Sequence, residues 1–575
     1  MSIKKYFTIL FLTLSLILGT LTRFYKLGGA PAGLYLDEAA QGYSAYSILK
    51  TGKDEFGKEF PVVFRSFTDF KTPTYIYLIV PLIPIFGLTK FTVRFPSFFF
   101  SILSLPIFYL LIKKIAPRAY SLPLSLLTTF LLSISPWHIL FGRTNFECNV
   151  ALFFLLIGVY FFYLGLKNPK MLLVSAFGFA LAIPSYHAQR VIAPLIITAL
   201  FLRHRKKLLW GTHKKFLLAG GIIGLILLLP TLSISTTPGF LARASGLNIF
   251  THSRQKPAGY LEDCKGGACP LINNSLFLTT REFSALYFSY FSPRNMFVLG
   301  DYGPRSSFPN LSTFFLWQFP FYVIGLYSLI KKKDLKEFRF FTLSLLIIGP
   351  IPAAVTRDAY STIRSLQMVI PQISIISLGI LQAFSWLRNK FEVKYFPFAA
   401  YLTLFVVTFY SSLRLYSSVI ILNEFMMAHE WNFGWKEVAQ KIPQLNPNLA
   451  IVVDNARSEP YSQLLFFLKA DPSQYQRENF EVPLSEYYTN LKRDKTKKIG
   501  KITTRAINWK PDLSIEQYLI GDQLAISESQ IKEHNLSQIA EVKYPNGAVS
   551  LRIVKTNPEL SSQKKDKTPA PQMGK

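Results

Sequence analysis

The chain has 575 residues, 50% of them hydrophobic and 15% aromatic, and a formal net charge of +30. Its apolar residues gather in runs of roughly 15 to 22, the length a helix needs to cross a bilayer core, which excludes an ordinary soluble globule. Lys and Arg sit in short hinges between those runs and at the C-terminus, so membrane topology rather than a nucleic-acid partner accounts for the charge.

Only 3 cysteines are present, too few for a disulfide scaffold, and no CxxC or HExxH motif occurs. The 7 histidines are scattered, so no metal and no cofactor is expected.

The first apolar run, Tyr6 to Leu21, follows Lys4 and Lys5, which places the N-terminus in the cytoplasm. No small-residue cleavage site follows it, so an uncleaved helix is favoured over a signal peptide. Either reading puts the next segment, about 24–93, outside. Within it, Asp37 and Glu38 stand immediately before a helical pattern in LYLDEAAQGYSAYSIL, where carboxylates gain from the helix dipole or serve chemistry. Asp69 and Lys71 follow in FTDFKTPTYIY, ahead of the apolar run 72–88. Pro81, Pro84 and Gly87 interrupt that run, which reads as an interfacial or re-entrant helix; the alternative is an ordinary span.

Four basic hinges then read as cytoplasmic: Lys113, Lys114 and Arg118; Arg203 to Lys215; Lys331 to Arg339; and Arg388 to Lys394. Apolar runs come in even numbers between consecutive hinges. With spans near 94–112, 119–136, 149–166, 171–185, 189–203, 215–235, 312–330, 339–356, 367–387 and 396–418, the expectation is about eleven crossings and an external C-terminus. The long connections 24–93 and 237–311 and the tail then fall outside, where loop-borne chemistry is expected.

From Trp431 the periodicity changes to that of a small α/β domain over 421–557. Helices are expected over Lys436–Ile442 and Tyr461–Lys469, a buried strand over Ala450–Val453, and a hairpin turning at Pro545, Asn546 and Gly547. Residues 558–575 read as a disordered basic tail. Cys264 and Cys269 of DCKGGAC are a candidate short-loop disulfide in an oxidising compartment.

Several arginines sit at outward positions: Arg94, Arg143 in SPWHILFGRTNFE, Arg190 after PSYHAQ, and Arg357 and Arg364 in TRDAYSTIR. Each alone reads as a snorkelling anchor; together with Lys71 they describe a site for an anion held at the outer leaflet. Nucleotide sugars stay in the cytosol, so an external transferase needs a donor presented by the membrane, and a lipid phosphate meets that need. An acceptor hydroxyl needs a general base, and Asp37 is the candidate.

YLDEAA with Asp37 and Glu38, the Lys71–Pro73 element, FTVRFPS with Arg94 and Pro96, and SPWHILFGR ending at Arg143 together resemble the GT-C membrane glycosyltransferases. The likeness is to the protein O-mannosyltransferase and lipid A aminoarabinose transferase group, over residues 1–420. It implies a GT-C fold with an interfacial helix in the first external loop. It implies inverting transfer of a sugar from a polyprenyl-phosphate donor to an extracytoplasmic hydroxyl, with Asp37 as general base and Glu38 supporting it. Lys71, Arg143, Arg190 and Arg364 become the expected donor-phosphate ligands, with Asp69, Tyr43 and Arg94 in support. Where aminoarabinose transferases carry Lys-Pro-Pro, this chain has Lys71-Thr72-Pro73, and the acceptor does not carry over. A surface polysaccharide ligase or polymerase is the nearest alternative; a transporter is the more distant one, for neither internal repeats nor mid-span ionisable groups are evident.

Overall fold

The computed structural model describes residues 3–67, 69–247, 249, 274–390 and 396–559. Cys264, Cys269 and residues 560–575 of the basic tail lie outside the described residues. Contacts divide the chain into two compact units, one of Met1–Leu27, Asp69–Tyr75 and Arg94–Ile420, the other of Gly28–Thr68, Ile76–Val93 and Ile421–Lys575.

The first unit is helical, and a helix occupies each expected apolar stretch, from Ile3–Phe24 through Lys90–Ile115, Cys148–Gly165 and Gly211–Ser233 to Phe396–Tyr416. By length and composition, 6 described helices are able to cross a membrane, or 7 if the bent pair Arg118–Ser133 and Pro136–Arg143 is one span. The chain is thus an integral membrane protein. The bend of 54° falls where Pro136 removes a backbone donor, and Ser135 Oγ restarts the helix by accepting from His138 N at 3.4 Å. Only 11% of the most apolar stretch of Gly211–Ser233 is buried, so Leu218, Ile222, Leu225, Ile226 and Leu229 face the lipid. The helices Phe319–Lys331 and Val369–Lys390 touch backbone to backbone. A Cβ on Gly379 would stand 1.7 Å from Phe321 O, and one on Gly325 1.9 Å from Ile375 O. The run 72–88, of which Ile76 onward is grouped with the second unit, breaks into a helix Pro73–Ile79, a tighter turn Val80–Leu82 and a helix Ile83–Phe86, and ends at Gly87 with φ 70°. Its length falls short of the crossing helices.

The second unit is built on a sheet. Two short strands precede it in the chain, β1 (Phe64–Ser66) and β2 (Asp69–Lys71). The sheet itself has β3 (Ile451–Val453), β4 (Lys497–Ile499), β5 (Ile502–Thr504), β6 (Tyr518–Asp522), β7 (Ser537–Lys543) and β8 (Val549–Lys555), in the order β4-β5-β3-β6-β8-β7. The centre is parallel: β3 pairs with β5 on one side and β6 on the other, both in parallel register. Central strands buried on both faces need continuous apolar runs, and Ile451, Val452 and Val453 supply one. The β7–β8 hairpin turns at Gly547 with φ 87°, a backbone region that favours glycine. Helices Trp435–Lys441 and Pro460–Leu468 cover the sheet as their periodicity requires.

Residues Gly28–Thr68, between the first helix and β2, belong to this unit. The helix Leu36–Thr51 packs on Pro460–Leu468, and Tyr43 Oη donates to Ala470 O at 3.1 Å. Gln463 Nε2 donates to Leu34 O at 2.7 Å, and Gly33 lies so near Trp431 that a Cβ would stand 1.9 Å from its carbonyl oxygen. A charged cluster is buried here as well. Asp54 Oδ1 accepts from Phe56 N and Lys58 N, and its Oδ2 from Tyr487 Oη at 2.5 Å. Arg65 and Lys497 both pair with Glu481, at 2.9 and 3.0 Å. Burial pushes the Asp54 carboxyl up to about 6 against these bonds, and burial with the Asp54 charge pushes Glu55 well above the usual carboxylate range.

Raised folded-state values mean that the native unit holds protons the unfolded chain has released. The stability this confers is complete below the unfolded value of 3.8 and is lost as the pH rises through about 6. Between pH 5 and pH 7.5 the unit should lose part of a contribution of at most about 3 kcal/mol from Asp54. Thermal unfolding across that range checks it: the wild-type midpoint falls relative to Asp54→Asn, and parallel curves would show that Asp54 does not titrate there.

Candidate functional site

In the first unit, the helix Gln189–Leu208 begins two residues after Tyr186–His187, and Arg190 stands in its first turn. Its guanidinium lies over the Phe240 ring, 3.7 Å from the centroid, and Nη1 donates to Phe240 O at 3.2 Å. Arg364 reaches the same place from the other end of the unit. It pairs with Asp358 at 2.6 Å and donates to Thr356 Oγ1 at 2.6 Å. Both arginines line one cavity of about 250 Å³, together with His187, Thr356 and the apolar Val191, Leu241, Ile351, Pro352 and Val355.

The loop that carries Arg364 is rigidly set. Asp301 Oδ2 accepts from Thr362 N at 2.7 Å and Thr362 Oγ1 at 2.8 Å, and Trp137 Nε1 donates to Thr362 O at 2.9 Å. Tyr290 Oη donates to Asp358 O and accepts from Ser361 N, each at 2.8 Å. Arg357, the other arginine of TRDAYSTIR, pairs instead with Glu282 at 3.4 Å. Two cations beside a greasy wall suit an anion joined to an apolar chain, since such a ligand satisfies both halves of the lining.

The Lys71–Pro73 element lies near this end of the unit. Strand β2 packs against the helix Pro238–Leu247, which carries Phe240, and Thr72 Oγ1 donates to Ser185 O at 3.1 Å, one residue before the cavity-lining Tyr186. Lys71 itself is 7% exposed, and Asp69 Oδ1 accepts from Phe70 N at 2.7 Å.

Arg143 and Arg94 have structural work. Arg143 donates to the carbonyls of Thr22 at 2.9 Å, Arg23 at 3.1 Å, Tyr25 at 2.7 Å and Lys26 at 3.4 Å, closing the C-terminal end of the first helix. Both of its terminal nitrogens are engaged at that helix end. Arg94 is buried and donates to Leu27 O at 3.3 Å. Arg143→Lys keeps the charge but cannot span these carbonyls, so it should lower the thermal midpoint in detergent, by a stability loss of about 1–3 kcal/mol. An unchanged midpoint would remove this assignment.

In the second unit, Asp37 occupies the first turn of Leu36–Thr51 and is half-buried. Glu38 is fully buried, and its Oε2 accepts from Tyr35 N at 3.0 Å, a bond that fixes where the helix starts. Tyr43 is buried with its ring edge-on to Tyr475. Cys148 is a buried free thiol. Among the described residues no group of three or more His, Cys, Asp or Glu side chains is placed to hold a metal ion.

Residues 70–234 match the family model described as dolichyl-phosphate-mannose-protein mannosyltransferase. No curated protein matches the chain. Among solved structures, ArnT from Cupriavidus metallidurans in the apo state is similar with a TM-score of 0.50 at 11% identity, over 97% of this chain and 99% of that one. The same protein bound to undecaprenyl phosphate matches with a TM-score of 0.50 at 11% identity, over 96% and 98%. The archaeal oligosaccharyltransferase AglB from Archaeoglobus fulgidus, in complex with an inhibitory peptide and a dolichol-phosphate, gives a TM-score of 0.48 at 13% identity, over 96% and 74%. The chain has the fold of the GT-C membrane glycosyltransferases. Within that class its match to the mannosyltransferase model is confined to residues 70–234, and the rest of the likeness is one of fold.

Proposed function

We propose that the protein transfers a sugar from a polyprenyl-phosphate donor to an acceptor hydroxyl outside the cytoplasm. The observation that carries this is the cavity lined by Arg190 and Arg364 beside an apolar wall. Similarity to a protein solved with undecaprenyl phosphate, and to a family named for a dolichyl-phosphate sugar, supports the same ligand class. Arg190 and Arg364 neutralise the phosphate as it leaves, with Lys71 nearby in the same unit. Asp37 takes the proton from the acceptor hydroxyl as its oxygen attacks the anomeric carbon. The bond from that carbon to the phosphate oxygen breaks, polyprenyl phosphate departs, and the anomeric configuration inverts. Glu38 holds the helix start that presents Asp37. Membrane topology supports the outward location: with the basic hinges inside, the N-terminus is cytoplasmic, and the first external loop and the C-terminal residues 421–557 lie outside.

The test is to incubate the purified protein with polyprenyl-phosphate mannose, glucose and aminoarabinose and to follow release of sugar to water or to added acceptors. Turnover of one donor over the others is expected. No turnover of any, with nucleotide sugars consumed instead, would overturn the proposal.

A further inference from the structure

The sheet of the second unit has a topological switch point. From β3 the chain passes through two helices and the edge strand β4 to β5 on one side, and then crosses to β6 on the other side of β3. In open α/β sheets, a crevice forms outside the carboxyl ends of the two strands from which the chain departs in opposite directions, and ligands bind there. Here β3 is followed at once by Asp454, and β6 ends on Asp522. Both carboxylates line a cavity of about 190 Å³ whose other walls include Arg457, Asn432, Tyr544 and Ser550.

Backbone donors hold the two carboxylates in place and leave acceptor capacity unused. Asp454 Oδ1 accepts from Ile507 N at 3.1 Å and Oδ2 from Ala456 N at 3.2 Å. Asp522 Oδ1 accepts from Leu524 N at 2.9 Å, Ala525 N at 2.7 Å and Arg457 Nη1 at 3.4 Å, so none of these bonds uses its Oδ2. A carboxylate offers about four acceptor positions, and here at least one oxygen of each acid has room for another donor. Asn432 adds an Oδ1 that is buried without a hydrogen-bond partner, at a residue held in the left-handed region with φ 52°. Tyr544 supplies an aromatic wall, with the Phe433 ring 6.3 Å away and the His429 ring 6.5 Å away.

The chemistry of this lining selects its ligand. Two carboxylates against one guanidinium disfavour phosphate. Arg457, already beside Asp522, disfavours a simple cation. Neutral hydroxyls donating to the carboxylates and to Asn432, with C–H faces against the Tyr544 ring, satisfy every wall. The volume equals that of about six liquid waters, which is room for a single pyranose with its hydroxyls.

We infer that this crevice binds a neutral saccharide. In the transferase proposed above, that saccharide is part of the acceptor, and this role rests on that reading; the binding itself does not. The domain then selects the acceptor as a glycan through a site distinct from the arginine cavity of the membrane unit.

Saturation-transfer difference NMR on the full chain in a non-glycosidic detergent tests it, with methyl α-mannoside, methyl β-glucoside and methyl β-galactoside as probes. At least one should receive saturation from the wild type, and Asp522→Asn and Tyr544→Leu should each reduce that signal about tenfold. Arg457→Gln, on a half-exposed side chain that ties no backbone, provides a third variant should either of these unfold. The inference is overturned by absence of signal from all three sugars, by equal signal in wild type and folded variants, or by displacement of the sugar by inorganic phosphate. Wild-type donor turnover, measured separately, shows whether the transferase reading stands whatever the sugars do.

Discussion

Replacement of Asp37 by Asn should leave the protein folded and slow sugar transfer by about 10² or more, the contribution a positioned general base makes. Asp37 stands at the first turn of Leu36–Thr51, whose start is held by Glu38, by Gln463 on Leu34 O and by the close approach of Gly33 to Trp431. None of these named bonds is made by the Asp37 carboxylate, so the helix start should persist in the variant. Donor affinity should also persist, because a base acts on the acceptor. Single-turnover transfer beside an unfolding curve separates the two effects. Near-normal transfer in a folded Asp37→Asn variant would take the base assignment away from this residue.

The second large effect concerns the arginine cavity. Arg190→Ala and Arg364→Ala should each weaken undecaprenyl-phosphate binding by roughly 10- to 100-fold, as each removes a charge-assisted contact of about 1.5–3 kcal/mol. Arg364→Lys should fall between, since an ammonium keeps the charge and loses the planar fork. Arg203 is a suitable control: it pairs with Glu337 at 3.0 Å, and Arg203→Ala should bind donor as wild type does. Affinity measured by calorimetry at two salt concentrations checks this. Unchanged binding in both alanine variants would mean that the phosphate sits elsewhere.

Some of this molecule follows from local pattern. Apolar runs of membrane length became helices at the stretches where they were expected, because hydrocarbon tolerates only chains that satisfy their own backbone. The interruptions at Pro81, Pro84 and Gly87 split one such run as proline and glycine must. Strand β3, the two helices that cover it and the hairpin at Gly547 were readable from periodicity and turn chemistry alone. The arginines at the ends of apolar runs stood out as a class, since their placement runs against the usual charge bias.

What each arginine does was not readable. Arg143 and Arg364 look alike in sequence, yet one closes a helix end on four carbonyls and the other lines a cavity with Arg190, 174 positions earlier in the chain. A guanidinium has five donors and no local preference among acceptors, so its partners are set by which helix ends arrive beside it. The same holds for Asp54 and Glu55. In KDEFGK they carry the signature of a solvated turn, and only packing against Tyr487, Arg65 and the Glu481 region buries them. Sequence by itself determined a membrane chain with helical spans, a candidate carboxylate pair and an α/β tail, because those depend on neighbours a few residues apart. Tertiary structure alone decided that part of the first loop packs with the tail, that Arg190 and Arg364 line one cavity, and that Asp454 and Asp522 share a crevice, because contacts between distant segments are fixed by the whole chain's burial rather than by any local pattern.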